Sequence, residues 1–471
     1  MKSENQNLNT KLDSIEKTFL ELDKKVCLVS LGCPKNLVDA EMMLGSLVKA
    51  GYQLTIDPQE AQVIVVNTCS FIDGSKSESI DQLLEMSEYK KSGNCQVLVS
   101  TGCLSQRYGD ALKTQMSEVD LIIGTGEFDR LPYLLDEKLN SQQGISAEIE
   151  KKYVSDRQIL PDPDLPRILS TPSHYSYLKV SEGCSHRCSF CIIPKIRGGL
   201  KSSPLSQVLA EAENLLNRGV KELNLIAQDL NEYGRDLKDG SSLVRLIEGL
   251  DQLPGDFWIR PLYMYPLLFN EDLISALKNS EHFTRYIDMP LQHISENIML
   301  SMRRGSPGRY VRQLLDQLRK SMPDLSIRTT FIVGYPGETE ENFEELCQFI
   351  RDYPFDHLGV FAYSQEENTP AAEFDHQVPD ALREERRQGL MEIQQEISRQ
   401  RQKLLLGKEI RVLVEGPSEE NDWVMTGRAS FQAPEIDGVT YLSEVDAEPG
   451  TFIRAEVIET HDYDLVVKAL D

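Results

Sequence analysis

"YSYLKVSEGCSHRCSFC", Tyr175–Cys191, runs a strand-like apolar segment straight into a loop that carries Cys184, Cys188 and Cys191. Thiolates at these three positions would hold three corners of a 4Fe-4S cluster and leave the fourth iron open to a small chelating ligand. Structural zinc is the competing reading, with His186 or His174 completing a Cys₃His tetrahedron. The context separates the two, because a long α/β pattern follows and structural zinc knuckles rarely introduce one. Parallel βα folds gather their functional residues at the C-terminal ends of strands, which is where this loop would lie.

Downstream of the loop, the runs "ELNLIAQ", "FWIRPLYM", "RYIDMPLQ", "IRTTFIVG" and "HLGVFAY" alternate with helical segments. With "YSYLKVS" they make six βα units, an open or partial barrel of the TIM type over residues 173–402. After the charged helix "DALREERRQGLMEIQQEISRQRQK" the pattern changes to period two with turn residues, in "KEIRVLVEG", "WVMTGRASF", "TFIRAEVIE" and "DLVVKAL". Residues 403–471 are therefore expected to form a small antiparallel β-barrel of about five strands.

Upstream, "VCLVSLG", "AQVIVVNT", "CQVLVSTG" and "VDLIIGTG" alternate with helical patterns, which predicts a parallel α/β domain over 25–140. Residues 141–172 are rich in Pro, Asp and Ser without lasting periodicity and read as a linker. Residues 1–24 are polar, with Leu12, Ile15, Phe19 and Leu22 at helical spacing, and form an N-terminal extension to which no chemistry is assigned. The fold class is α/β throughout, closed by the β-barrel.

A second set of thiols stands in the N-terminal domain. Cys33, Cys69 and Cys103 each follow an apolar run directly, at intervals of about 35 residues, the length of one βαβ repeat. Parallel strands would bring all three to one edge of the sheet, where they would hold a second three-cysteine cluster with its own open iron. Three unrelated buried cysteines are the alternative. Cys27, Cys95 and Cys347 sit at the start or middle of predicted elements, where packing accounts for them.

The chain has 471 residues and nine cysteines, and in a chain of this size the thiols read as ligands or buried groups of a reducing compartment. No window offers the ~20 apolar residues of a membrane span, and the N-terminus lacks a signal peptide's apolar core, so a cytoplasmic protein is expected. A net charge of −25 argues against a dedicated nucleic-acid surface.

The spacing Cys184-x₃-Cys188-x₂-Cys191 ahead of a βα barrel resembles the radical S-adenosylmethionine (SAM) enzymes. Together with the N-terminal triad and a terminal barrel that resembles a TRAM domain, the chain resembles the methylthiotransferases of that superfamily from about residue 25 to its end. The motifs "SLGCPKNLVDAE", "YIDMPLQHIS", "MRRGSPGRY" and "TTFIVGYPGETEENF" are similar to members that modify an aspartate of small-subunit ribosomal protein S-twelve. The tRNA-modifying relatives of the MiaB type generally carry Gln in place of Pro34-Lys35. The extension before Lys24 has no counterpart in this resemblance.

The resemblance implies two 4Fe-4S clusters, one on Cys184, Cys188 and Cys191 that binds and cleaves SAM, and one on Cys33, Cys69 and Cys103 that carries sulfur. Sulfur would enter at the β-carbon of the aspartate, whose hydrogen no side-chain base removes at neutral pH, so a radical is required. Phe190 occupies the family's aromatic position in the loop. Gln228 and Asp229, Gln292 and His293, and Gly334, Gly337 and Glu338 of the "GYPGE" turn are candidate SAM contacts at strand ends. Arg197 either pairs with a carboxylate or lies on the surface.

The implied partners are the free ribosomal protein or the assembled small subunit, an electron donor and an unidentified sulfur donor. Residues 407–471 hold fifteen Asp or Glu against five Lys or Arg. Such a surplus would attract a basic protein, and Glu444, Asp446 and Glu448 are the candidate docking residues. Two other functions remain open on sequence grounds: methylthio transfer to a tRNA adenosine, and a non-catalytic metal-binding module associated with RNA.

Overall fold

The structure is a computed structural model and describes residues 24–142, 150–418, 424–443, 445 and 447–470. The chain divides into two compact units, one of Met1–Ser170 with Lys195–Gly198, the other of Thr171–Pro194 with Gly199–Asp471. The N-terminal segment with Leu12, Ile15, Phe19 and Leu22 at helical spacing lies outside the described residues.

The first unit is built on a parallel sheet of β1 (Lys25–Ser30), β2 (Gln53–Leu54), β3 (Val63–Thr68), β4 (Val97–Gly102), β5 (Leu121–Ile123) and β6 (Lys152–Tyr153). Their order is β2-β1-β3-β4-β5-β6. Every residue of β3 and β4 is buried, as expected of central strands covered on both faces. One face packs Met43, Leu47, Val63, Val97 and Leu135, and the other packs Ile64, Leu83, Leu98 and Leu112. Ser30 pairs with Asn67, and Thr68 with Gly102, so the chain leaves these three strands at a common edge.

Within 141–172 the chain adds strand β6, and it is then held by side chains. Arg167 donates from Nε and Nη2 to Glu41 Oε2 at 2.8 and 2.6 Å, and Ser170 N donates to Glu41 Oε1 at 2.7 Å. A two-residue strand and an extended tether leave no periodic signal.

The second unit begins with β7 (Tyr175–Lys179), the short antiparallel pair β8 (Ser181–Glu182) and β9 (Lys201–Ser202), and then β10 (Glu222–Ile226) and β11 (Trp258–Pro261). It continues through β12 (Tyr286–Asp288), β13 (Ser326–Val333) and β14 (His357–Ala362). Parallel sheets β11-β10-β7 and β12-β13-β14 meet through the Ile259–Phe283 bridge and form an open, partial βα barrel. All six strands are those expected from the apolar runs.

The C-terminal strands β15 (Glu409–Pro417), β16 (Met425–Ala429), β17 (Thr440–Ser443), β18 (Phe452–Thr460) and β19 (Leu465–Ala469) close a barrel in the order β15-β16-β17-β19-β18. Four pairings are antiparallel, as expected, but β17 and β19 run parallel. Strand β18 runs opposite to β17, and the β18–β19 hairpin reverses the chain again, so β17 and β19 point the same way.

Charged groups pack where this small barrel meets the first residues of the βα strands. Glu222 is fully enclosed between Arg260 Nε and Arg428 Nη2, each at 2.6 Å, and Arg428 Nε also reaches Glu415 Oε1 at 2.6 Å. Tyr175 Oη donates to Glu435 and Tyr286 Oη to Asp437, both at 2.7 Å. Breaking such a buried pair strands a charge in a poorly solvated site. Arg428→Ala is therefore expected to lower stability by about 3–5 kcal/mol, read from chemical denaturation. An unchanged denaturation midpoint would contradict this account of the contact.

Candidate metal centres

Cys33 and Cys69 follow strands β1 and β3, and Cys103 opens the helix Cys103–Gln115 immediately after β4. Two glycines shape this edge. Gly32 has φ +88°, and a Cβ there would stand 2.8 Å from Cys69 Cβ and 2.9 Å from Cys69 Sγ. Gly102 has φ +91°, and its Cβ would stand 2.5 Å from both Asn67 Oδ1 and the Thr68 carbonyl oxygen. Only glycine lets the loop before Cys33 pass Cys69, and lets Cys103 turn into its helix beside β3.

Cys33 is exposed, whereas Cys69 and Cys103 are buried. Burial pushes the Cys69 thiol up and the Cys103 thiol up to about 12. Cys33 adds to both shifts, Cys69 adds to that of Cys103, and Arg197 opposes both. In the same place Arg197 Nη2 donates to Cys103 Sγ at 3.4 Å, and Gly32, the residue before Cys33, packs against Cys69. Cys69 is fixed further by Ser79, whose Oγ accepts from Cys69 N and donates to Cys69 O, both at 2.9 Å.

The motif around Cys33 acts as a bracket. Cys33 is the N-cap of the helix Pro34–Lys49. Asn36 Nδ2 donates to Leu31 O at 2.6 Å, and Asp39 Oδ2 accepts from Arg197 Nη1 at 2.6 Å. Glu41 holds the tether described above. Of the two roles open to Arg197, paired with a carboxylate or on the surface, it takes the first: the side chain is buried and paired with Asp39.

The second set lies in the loop between β8 and the helix Ile193–Arg197. Ser189 pins this loop. Its N–H donates to Met302 O at 3.0 Å, its Oγ donates to Ser301 O at 2.8 Å, and its carbonyl accepts from Ala371 N at 2.9 Å. Phe190 packs against a cluster that includes Met302, Tyr335 and Tyr363. Burial raises Cys184 and Cys191 each to about 12; Cys188 and Cys191 add to the Cys184 shift, and Cys188 adds to that of Cys191.

Neither candidate histidine completes a simple zinc tetrahedron. His174 Nε2 lies 3.2 Å from Glu415 Oε1, in the contact with the C-terminal barrel. His186 stands nearer, since Cys184, His186 and Glu232 bring one ligand atom each within 4.8 Å of one another. Its Nε2, however, is 2.6 Å from Asp229 Oδ2, and its ring stacks on Tyr265 at 4.3 Å. The remaining cysteines pack elsewhere: Cys27 and Cys95 in one core cluster of the first unit, and Cys347 on the helix Glu340–Asp352. Each triad thus offers three soft ligands without a fourth thiol, a donor set that fits an iron-sulfur cluster with one open iron.

Among the other candidates, Gln228 Nε2 donates to Glu182 Oε1 at 2.8 Å while its buried Oε1 has no hydrogen-bond partner among the described residues. Asp229 is shared among His186, Asn231 N and Tyr265 N. Gln292, at φ +73°, extends the strand array by bridging to Phe331. His293 is enclosed; its Nδ1 accepts from Ser295 N at 3.0 Å and its Nε2 lies 3.3 Å from Glu338 Oε2. Glu338 Oε1 accepts from Gly334 N at 2.9 Å and from Arg386 Nη1 at 2.8 Å, which closes the turn through Gly334 and Gly337. His293 and Glu338 are therefore directed at each other and at the turn.

Two residues near this loop were not singled out by the sequence. Arg304, within "MRRGSPGRY", donates from Nη1 to Cys188 Sγ at 3.9 Å, and its guanidinium lies 4.0 Å from the Tyr265 ring centroid. Lys179, buried on β7, forms an ion pair with Glu182. Glu444 and Asp446 lie outside the described residues, and Glu448 is exposed.

Comparison with known proteins matches residues 25–124 to "Uncharacterized protein family UPF0004", 178–350 to the radical SAM superfamily and 406–470 to the TRAM domain. The chain is 46% identical over 443 residues to the ribosomal protein uS12 methylthiotransferase RimO of Pelobacter propionicus, covering 94% of this chain and 97% of that one. It is 46% identical over 454 residues to the protein of the same name from Myxococcus xanthus, covering 95% and 92%. Among solved structures it resembles the radical SAM methyltransferase TsrM from Kitasatospora setae, determined with cobalamin and a 4Fe-4S cluster bound. That likeness has a TM-score of 0.54 at 13% identity over 74% of this chain and 77% of the other, and concerns the fold alone.

Proposed function

The chain belongs to the family of ribosomal protein uS12 methylthiotransferases, and from that premise we propose that it inserts a methylthio group at the β-carbon of an aspartate of uS12. It is a radical SAM methylthiotransferase whose cofactors are 4Fe-4S clusters and SAM. The observation that supports the reading is the placement of two sets of three cysteines, one at the common edge of β1, β3 and β4 and one in the loop after β8. One set serves sulfur and the other serves SAM.

Cys184, Cys188 and Cys191 hold the SAM-binding cluster, and Cys33, Cys69 and Cys103 hold the sulfur-carrying one. When bound, these groups and SAM supply hydrogen abstraction, sulfur and the methyl group. The chain's own residues fix the geometry. Ser189 holds the loop, Glu182 and Asp229 orient Gln228 and His186, and the free Gln228 Oε1 is a polar contact for SAM. Gln292, Gly334 and Gly337 line the same strand ends. His293 and Glu338 serve SAM by shaping the turn instead of touching it.

An external one-electron donor and a sulfur donor complete the reaction, which takes place in the cytoplasm. No helix among the described residues is long and apolar enough to cross a membrane. Metal analysis tests the cofactor assignment: about eight irons with matching sulfide per chain support two clusters, whereas one or two zincs contradict them.

The acidic C-terminal barrel attracts the basic substrate protein through its long-range field. Part of its charge is committed internally, since Glu415, Glu435 and Asp437 bind Arg428, Tyr175 and Tyr286. The exposed share, including Glu448, remains for docking. Converting Glu444, Asp446 and Glu448 to Lys is expected to weaken uS12 binding at low salt, with the loss shrinking as salt screens the attraction. SAM cleavage without substrate should be unchanged. A folded triple variant that binds uS12 as tightly as the parent at low salt would remove the docking assignment.

A further inference from the structure

Arg197 follows the SAM-cluster loop in sequence, yet Lys195–Gly198 belongs to the N-terminal unit. Gln158 Nε2 donates to Arg197 O at 2.7 Å, and Thr125 Oγ1 donates to Ile196 O at 3.4 Å, so the backbone there is held. The side chain is 4% exposed. Its Nη1 donates to Asp39 Oδ2 at 2.6 Å, while its Nη2 donates to Asn36 Oδ1 at 3.0 Å and to Cys103 Sγ at 3.4 Å.

Burying an arginine is costly, and a fork aimed at one carboxylate would have satisfied it. Here the fork is divided. Asp39 takes one nitrogen and offsets the charge, Asn36 sets the plane, and the second nitrogen is delivered to a thiol. What reaches Cys103 is a directed N–H donor with its positive charge largely compensated. Hydrogen bonds to cluster sulfurs stabilise the reduced, more negative state, and outer partners of this kind orient the ligands they touch.

We propose that Arg197 is a positioning residue for the Cys33/Cys69/Cys103 centre, which orients Cys103 and raises the reduction potential of the cluster held there. This rests on the reading that the triad binds a cluster. Asp39 and Asn36 act through Arg197.

The test uses the full-length chain with Cys184, Cys188 and Cys191 all replaced by Ala, so that only the N-terminal centre loads on anaerobic reconstitution with iron and sulfide. Iron content, the electron paramagnetic resonance spectrum of the reduced cluster and its midpoint potential are compared with and without Arg197→Gln, Arg197→Lys or Asp39→Asn. Arg197→Gln is expected to keep iron while its midpoint moves negative and its spectrum changes, with Arg197→Lys restoring part of both. An iron-loaded Arg197→Gln protein with the parent's midpoint and spectrum would overturn the proposal. If Arg197→Gln fails to fold by circular dichroism, Arg197→Lys decides on the same two readouts, and parental values or a failure to fold overturn it. Should the background chain itself bind no iron where about four are expected, the triad reading fails and the role of Arg197 falls with it.

Discussion

Cys184→Ala, Cys188→Ala and Cys191→Ala proteins, reconstituted anaerobically and given SAM and reductant, should form no 5′-deoxyadenosine above the reagent blank. The loss should exceed the roughly 10–100-fold that removal of an outer-shell partner costs, because a direct ligand is gone. The loop offers no replacement. Ser189 ties it to Met302, Ser301 and Ala371, so it cannot shift to present another donor, and His186 is already engaged with Asp229. Cys27, Cys95 and Cys347 are buried in packing positions elsewhere. A reconstituted variant that forms 5′-deoxyadenosine at the parent rate would remove these thiols from the SAM site.

The N-terminal triad should separate the two halves of the reaction. Cys33→Ala, Cys69→Ala or Cys103→Ala should leave substrate-free SAM cleavage near the parent rate and reduce methylthio product to the blank. The triad stands on its own strand ends, β1, β3 and β4, and its sheet is a different hydrophobic structure from the βα barrel. Cys33 is exposed, so its replacement removes a ligand without opening a core cavity and gives the cleanest comparison. Normal product yield from a Cys33→Ala protein would refute the sulfur-carrying role. Loss of SAM cleavage in that protein would refute the separation of roles.

The placement of both sets of thiols was legible in the sequence for one physical reason. Each thiol but the loop pair follows an apolar run directly, and parallel strands deliver their C-terminal ends to one edge. The six barrel strands were legible as largely apolar runs of seven or eight residues between helical segments. Strand β17, Thr440–Ser443, was not among the period-two runs, since four residues are too few to show a period. Its parallel pairing with β19 depends on how two hairpins fold back, which no local pattern records. Arg197 and Asp39 are 158 residues apart, so their ion pair could not be read from either neighbourhood. The polar candidates His293 and Glu338 followed strands as ligand residues do, but their partners turned out to be each other and the Gly334 turn. Charge counting in the C-terminal barrel likewise missed that Glu415, Glu435 and Asp437 are used inside the protein.

The central claim is the transfer of a methylthio group to an aspartate of uS12. Anaerobic incubation of the two-cluster protein with SAM and reductant, with uS12 and bulk tRNA in the same vessel, tests it most directly. Tandem mass spectrometry of the digested protein and nucleosides locates any methylthio group. The expected result is modification of a single aspartate of uS12 at its β-carbon, lost on omission of SAM and in the Cys33→Ala and Cys184→Ala proteins, with unmodified tRNA. A methylthio group found on a tRNA adenosine, with uS12 unchanged, would contradict the account.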